Sequence, residues 1–267
     1  PFFTPFSHLF KLKAKSIPFT GISRKLHCSL WNVCSLNNKV VDVMEYILDH
    51  DSDIAFIIET WLISDKNNIT SYINDYNYIM KHNIRKDPDR ERGGRVGILF
   101  RNTLTPTQIK SKHFISFEHT MVKLQCANSV TVFLISIYRL LYVQMSVFLE
   151  EFAELLELYT VQYETFIIAG DINIHVETNE SASIKFHDVL QLFGLKQHVV
   201  GATHVMGHTL DVVITRNDNH IIDNVTITQY DNSHHFMINF IVNVELKEVV
   251  TKNITYRDMK NIEKTKF

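Results

Sequence analysis

Asp171 and Asn173 stand two residues apart in FIIAGDIN, where an apolar run stops and polar side chains begin. The arrangement recurs along the chain. Asn32 closes LHCSLWN, Glu59 closes DIAFIIE, Tyr138 closes FLISIY, Asp211 lies in HTLDVVIT, and His235 opens HFMINF. Brought to one rim, these groups would assemble carboxylates, amides, a phenol and an imidazole. That set suits chemistry at phosphorus. Mg²⁺ is a hard cation that takes one or two carboxylate oxygens and keeps room for water and substrate phosphate. Glu59 suits a direct ligand with Asn32 beside it, Asp171 can orient or deprotonate an attacking water, and Asn173 can donate to a phosphoryl oxygen. An imidazole that titrates near neutrality can serve as acid, base or cation, the role open to His235.

Each residue also has a plainer reading. A strand-end glutamate is usually solvated, Asn173 can make a turn, and Tyr138 can be a core residue with its hydroxyl satisfied. His204, His208, His234 and His235 invite a metal site, but fourteen histidines are scattered through the chain. Cys28, Cys34 and Cys126 form no metal-type pair, so zinc is disfavoured. Periodicity alone gives only a soluble α/β domain.

The elements that must position these groups follow from local pattern. LHCSLWNV alternates as a half-buried strand does, and Val40, Val43, Met44, Ile47 and Leu48 recur at helical spacing, with Asn37 or Asn38 available as a cap. DIAFIIE is a buried strand, so the first sixty residues read strand, helix, strand. YNYIMKH and VGILFR bracket a charged loop, IRKDPDRERGGR, as a hairpin. FEHTMVKLQC pairs with SVTVFLISIY. SVFLEEFAELLELY is a helix, ASIKFHDVLQLF a shorter one stopped at Gly194, and TLDVVITR, IIDNVTIT and HFMINFIV are closing strands. Many strands with mixed hairpins and crossovers predict two sheets packed face to face, with helices outside.

A chain of 267 residues with 45% apolar and 21% charged residues can bury a full core. Its net charge of -2 gives no overall pull on a polyanion, so nucleic acid would need a local basic patch. Candidates are the acid-free leader, Lys39, Arg85, Lys86, Arg90, Arg92, Arg95 and Arg139. The sparse, odd cysteine count points to a reducing, intracellular setting, and no apolar run is long enough for a membrane span. Residues 1–25 are expected to be a basic, poorly ordered leader, 26–245 the folded domain, and 246–267 a polar tail or the start of a linker.

WNVCSLNNK, DIAFIIETWL, RGGRVGILF, LISIYR, FIIAGDINIH, THVMGHTLDVVIT and NSHHFMINF occur in the order found in the endonuclease/exonuclease/phosphatase superfamily. The chain most resembles the endonuclease domain of non-LTR, LINE-type retrotransposons over about residues 26–245. The resemblance implies an α/β, DNase I-like four-layer sandwich: two packed mixed β-sheets flanked by helices. It implies Mg²⁺-dependent nicking of DNA, with Mn²⁺ as the alternative ion, and nuclear action. It places Glu59 and Asn32 at the metal, and Tyr138, Asp171, Asn173, Asp211 and His235 in catalysis. Thr203 and Ser233 match substrate-side positions. A reverse transcriptase normally accompanies such a domain, and none lies in these residues.

This sequence departs from the family pattern in several places. The Ser-Asp-His motif reads Ser233-His234-His235, so the carboxylate expected to orient the histidine is missing at His234. Arg95 stands where a small residue is usual, and the segment after Tyr138 lacks the usual proline. Cleavage is therefore expected to be weakened or lost. The alternatives are a degenerate, non-catalytic DNA-binding relative, a phosphatase acting on a lipid or inositol phosphate, and a scaffold kept for protein interaction.

Overall fold

The computed structural model describes residues 12–20, 24–62, 69–83, 94–230, 233–246 and 249–257. The chain opens with β1 (Leu12–Thr20), β2 (Arg24–Asn32), α1 (Val40–Asp49), β3 (Ile54–Ile58), α2 (Ile69–Asp75), β4 (Tyr78–His82) and β5 (Val96–Arg101). It continues with β6 (Pro106–Ile109), β7 (Phe117–Gln125), β8 (Thr131–Arg139), α3 (Met145–Thr160), β9 (Phe166–Asp171) and α4 (Ser181–Leu192). It closes with β10 (Leu195–Gln197), β11 (Asp211–Arg216), β12 (Ile222–Thr228), β13 (Met237–Leu246) and β14 (Val249–Arg257).

Two compact units result. In one, β1 and β14 pair antiparallel from Leu12 opposite Arg257 to Thr20 opposite Val249. This pair draws on residues of both the basic leader and the polar tail. The other unit spans Arg24–Leu246 and contains two six-stranded sheets, ordered β10-β11-β9-β8-β7-β6 and β12-β13-β2-β3-β5-β4. Each is mixed: β8 with β9, and β2 with β3, run parallel among antiparallel neighbours.

The period-two pattern decides which face each residue serves. In β3, Ile54, Phe56 and Ile58 enter the core between the sheets, while Ala55 and Ile57 face outward under helices. In β8, Val132, Leu134 and Tyr138 face inward, while Phe133, Ile135 and Ile137 face outward. Both faces of these strands are buried, which explains their near-continuous apolar runs. α1 covers one sheet with Val40, Val43, Met44 and Ile47. α3 and α4 cover the other with Phe148, Phe152, Leu155, Leu156 and Phe186. The arrangement is helix, sheet, sheet, helix: the expected four-layer α/β sandwich.

Local details differ from expectation. Lys39, not an asparagine side chain, occupies the start of α1, and no side-chain cap bond forms. α2, β6 and β10 are too short to leave a periodic signal. Residues 84–93 of the charged loop lie outside the described residues. Gly194 ends α4 in the left-handed region at φ 63°, as its position predicts. No helix among the described residues is long and apolar enough to cross a membrane.

Gly170 fixes the approach of β9 to β8. A Cβ there would collide with the main-chain carbonyl of Ile137, and backbone in a central parallel pair cannot easily yield. Gly170→Ala is expected to destabilise the fold by at least about 2 kcal/mol, measured by urea denaturation. A variant of unchanged midpoint would show that the two strands can separate at no cost.

Candidate active site

Strand register assembles the first part of the site. Tyr138 in β8 lies opposite Asp171 in β9, and Asp171 lies opposite Asp211 in β11. On the other sheet, Asn32 ends β2 opposite Ile58, the residue before Glu59. Parallel pairs thus end together in each sheet, and polar side chains replace apolar ones at that shared end.

Asn32 ties the two sheets. It is fully buried, and its Nδ2 donates to Glu59 Oε1 and to Asp171 Oδ2, each at 2.9 Å. The opposite amide orientation would set an oxygen against two carboxylates, so the donor assignment follows from the network. Asn32 Oδ1 accepts the Cys34 N–H at 3.1 Å and the Cys34 thiol at 3.5 Å. Glu59 is half-buried in the left-handed region, at φ 55°. Its Oε2 accepts Trp61 Nε1–H at 3.1 Å. Nothing in the spacing of ETWL foretells that contact. Tyr138 is buried beside Glu59. Burial, then the Glu59 and Asp171 charges and a hydrogen bond with Glu59, hold its phenol well above the usual range. The loop without proline therefore leaves Tyr138 in the site.

His235 closes the constellation from the other sheet. Its Nδ1 lies 2.9 Å from Asp211 Oδ2, and its Nε2 lies 3.7 Å from Asp171 Oδ2. Burial alone would lower its pKa. The Asp211 charge, its hydrogen bond, Asp171 and Glu59 outweigh burial and raise it to about 9. The folded value exceeds the ordinary imidazole value of 6.5, so this pairing stabilises the fold fully below about 6.5. That contribution is lost as pH rises through about 9. Asp171 is raised to about 7, first by burial and next by Asp211, against the lowering pull of His235, the Asn173 N–H and Asn32.

The carboxylate behind His235 is thus Asp211, which corrects the expectation placed on position 234. The His234 side chain is exposed, and its carbonyl accepts the Val205 N–H at 2.9 Å. His234 sits at a bend and stays exposed, while the next residue, His235, turns into the site and is buried.

Thr203 and Ser233 also lie elsewhere than expected. Thr203 is fully buried, and its Oγ1 accepts the N–H groups of Leu210 and Asp211 at 3.0 and 3.1 Å. Ser233 Oγ donates to Asn32 O at 2.7 Å and accepts the His235 N–H at 3.1 Å. Both hydroxyls are committed within the chain, behind the site instead of on its substrate side. They hold Asp211 and His235 in place.

Asn173 lies just past β9 at φ 50°, and its N–H caps Asp171 Oδ1 at 2.9 Å. Its Nδ2 donates to Arg139 O at 3.1 Å, while Arg139 donates back to Asn173 O at 3.1 Å. This reciprocal tie makes Arg139 a buried brace, which corrects its assignment as a surface phosphate contact. Arg95 is buried as well. Lys39 donates to Val33 O at 2.9 Å. Arg85, Lys86, Arg90 and Arg92 lie outside the described residues.

Asp171, Asp211 and His235 form a buried group whose potential ligand atoms all lie within 4.8 Å of one another. Glu59, Asn32 Oδ1 and Asp171 offer the harder, oxygen-only donor set.

The sequence pattern of the Endonuclease/Exonuclease/phosphatase family matches residues 30–229. No curated protein matches the chain. Among solved structures, the chain is similar to the endonuclease domain of TRAS1, a telomere-specific non-LTR retrotransposon. The TM-score is 0.63 and the identity 14%, over 82% of this chain and 98% of that one. It is also similar to AP endonuclease LMAP from Leishmania major, with a TM-score of 0.65 and 13% identity, covering 82% and 88% of the two chains. A 3′ phosphatase, NExo from Neisseria, bound to a product DNA hairpin, is a third, with a TM-score of 0.59 and 14% identity over 82% and 99%. With the family pattern spanning more than half of its length and the polar strand ends gathered at one rim, this chain belongs to the Endonuclease/Exonuclease/phosphatase family.

Proposed function

We propose that the domain hydrolyses phosphodiester bonds of DNA, leaving a nick, and that this copy retains the groups the reaction needs. The observation that carries the reading is the Asp211–His235 pair, which supplies an oriented imidazolium next to Asp171. The similarity to a retrotransposon endonuclease domain and to a 3′ phosphatase bound to product DNA supports DNA as substrate.

Asp171 orients and deprotonates the attacking water, and its raised proton affinity suits a base working near neutrality. His235, protonated and fixed by Asp211, donates to a non-bridging oxygen as negative charge grows there. Asn173, with one amide N–H beyond its bond to Arg139 O, borders the same phosphate as a neutral donor, while Tyr138 gives its O–H to Glu59 and holds that carboxylate. Asn32 holds Glu59 and Asp171 at a fixed separation.

The donor chemistry fits a hard divalent cation. Glu59 is half-exposed and oxygen-ligating, Asn32 Oδ1 is an amide oxygen held only by the Cys34 N–H and by a weak thiol donor that a cation can displace, and Asp211 Oδ1 is buried without a hydrogen-bond partner. Glu59 and Asn32 would hold Mg²⁺, with Mn²⁺ as substitute. When bound, the ion would neutralise phosphate charge and polarise the phosphorus–oxygen bonds.

Nicking of supercoiled plasmid in Mg²⁺ tests this reading. The parent is expected to nick, Asp211→Asn to lose at least about 100-fold, and His234→Asp to change the rate less than about threefold. A folded but inert parent that gains activity on His234→Asp would contradict the reading. Glu59→Gln is expected to weaken Mn²⁺ binding, followed by electron paramagnetic resonance, by about tenfold or more. Unchanged binding would remove Glu59 from the metal site.

A further inference from the structure

One imidazole at the site has no part in the chemistry above. His204 sits in the loop between β10 and β11 and forms an isolated antiparallel bridge with His235. The two rings meet edge to face, with centroids 4.9 Å apart and planes at 68°. The main chain holds His204 from both sides. Its N–H donates to His208 O at 3.1 Å, the Val205 N–H to His234 O at 2.9 Å, and the Phe236 N–H to Thr203 O at 2.7 Å. The position of the ring therefore follows the backbone that positions His235.

The side chain is fixed as well. The Met206 N–H donates to His204 Nδ1 at 3.2 Å. A backbone N–H can only donate, so Nδ1 must carry the lone pair, and the proton of the neutral ring sits on Nε2. Burial, then the neighbouring His235, keeps the ring below the ordinary imidazole value, which favours this neutral form. Nδ1 faces its own turn, so Nε2–H, across the ring, points away from it. Nε2 makes no hydrogen bond among the described residues. The ring is half-buried and meets two others edge to face, His235 and, with centroids 6.2 Å apart, the exposed His234. A histidine kept only for packing would have no need of a fixed tautomer with its donor left free.

We propose that His204 is a further substrate-binding residue, a tautomer-locked neutral donor whose Nε2–H takes a non-bridging oxygen of the phosphodiester held beside His235. The inference rests on reading the site as a phosphodiesterase. It also separates two kinds of donor at one phosphate. His235 supplies a cation, and His204 a neutral N–H that adds a directed hydrogen bond without adding a second positive charge next to the first.

Two variants distinguish a donor from a packing ring. His204→Phe keeps an aromatic ring against His235 and removes the N–H, while His204→Gln places an amide N–H near the position of Nε2. Each is compared with the parent by thermal melting, by kcat/KM for nicking a DNA duplex, and by histidine ¹⁵N NMR of the metal-free protein during addition of inorganic phosphate. Loss of a hydrogen bond to a charged oxygen is expected to lower kcat/KM for His204→Phe on the order of 10- to 100-fold, with most of the rate restored in His204→Gln. The His235 titration should stay in place in both variants, and phosphate should shift the His204 Nε2–H signal. Equal rates for His204→Phe and the parent, equal loss in both variants, or a His204 signal indifferent to phosphate would each overturn the inference. A parent that nicks nothing counts against the proposed function, and the phosphate titration then decides the role of His204 by itself.

Discussion

The site depends on a 2.9 Å hydrogen bond between Asp211 and His235. It joins the first residue of β11, in one sheet, to the residues that lead into β13, in the other. The two groups need each other. Asp211 is buried, and a buried carboxylate with no partner would take up a proton or unfold the rim. His235 is buried too and would lose its proton without a carboxylate. Paired with Asp211, His235 keeps its proton, and the imidazolium stands beside Asp171. The neighbouring contacts serve this pair. Thr203 anchors the main chain at Asp211, Ser233 anchors the main chain at His235, and Trp31 Nε1 donates to His235 O at 3.1 Å.

A second link between the sheets runs through Asn32, whose amide spans Glu59 and Asp171. Together the two links explain why polar groups can gather at the end of an otherwise apolar core. Each buried oxygen or nitrogen at such a place must be paired or it opposes folding. Both Glu59 and Asn173 adopt left-handed backbone, at φ 55° and φ 50°, although neither is glycine. Such conformations cost on the order of 1–3 kcal/mol each. They persist here at the two turns that direct side chains into the site.

The fold was legible in the sequence because its central strands are buried on both faces. Runs such as DIAFIIE and TFIIAGD cannot be solvated, and each ends in a polar residue that the sheet order then aligns. Tyr138, Asp171 and Asp211 could be selected by that rule, and their register follows from strand pairing. Contacts across the sheets were not legible. Position 234 adjoins His235 in sequence, yet it lies exposed at a bend, and the carboxylate that meets His235 comes from a residue 24 positions earlier. Arg139 reads as a free cation beside Tyr138, but its partner, the carbonyl of Asn173, is 34 residues away. Trp61 gives no sign of its donation to Glu59, since that contact needs two successive left-handed turns, at Glu59 and Trp61. Short elements such as β10 escape detection because three residues carry no period.

Asp211, and not residue 234, sets the protonation of His235. Histidine-selective ¹⁵N NMR on the metal-free protein measures this directly by following the His235 ring across a pH titration. The parent and His234→Asp should both titrate at about 9, with the proton of Nδ1 retained throughout, and Asp211→Asn should bring the value down toward the ordinary imidazole value of 6.5 or lower. A His235 titration that is unmoved by Asp211→Asn, or that rises sharply on His234→Asp, would show that Asp211 does not hold the His235 proton.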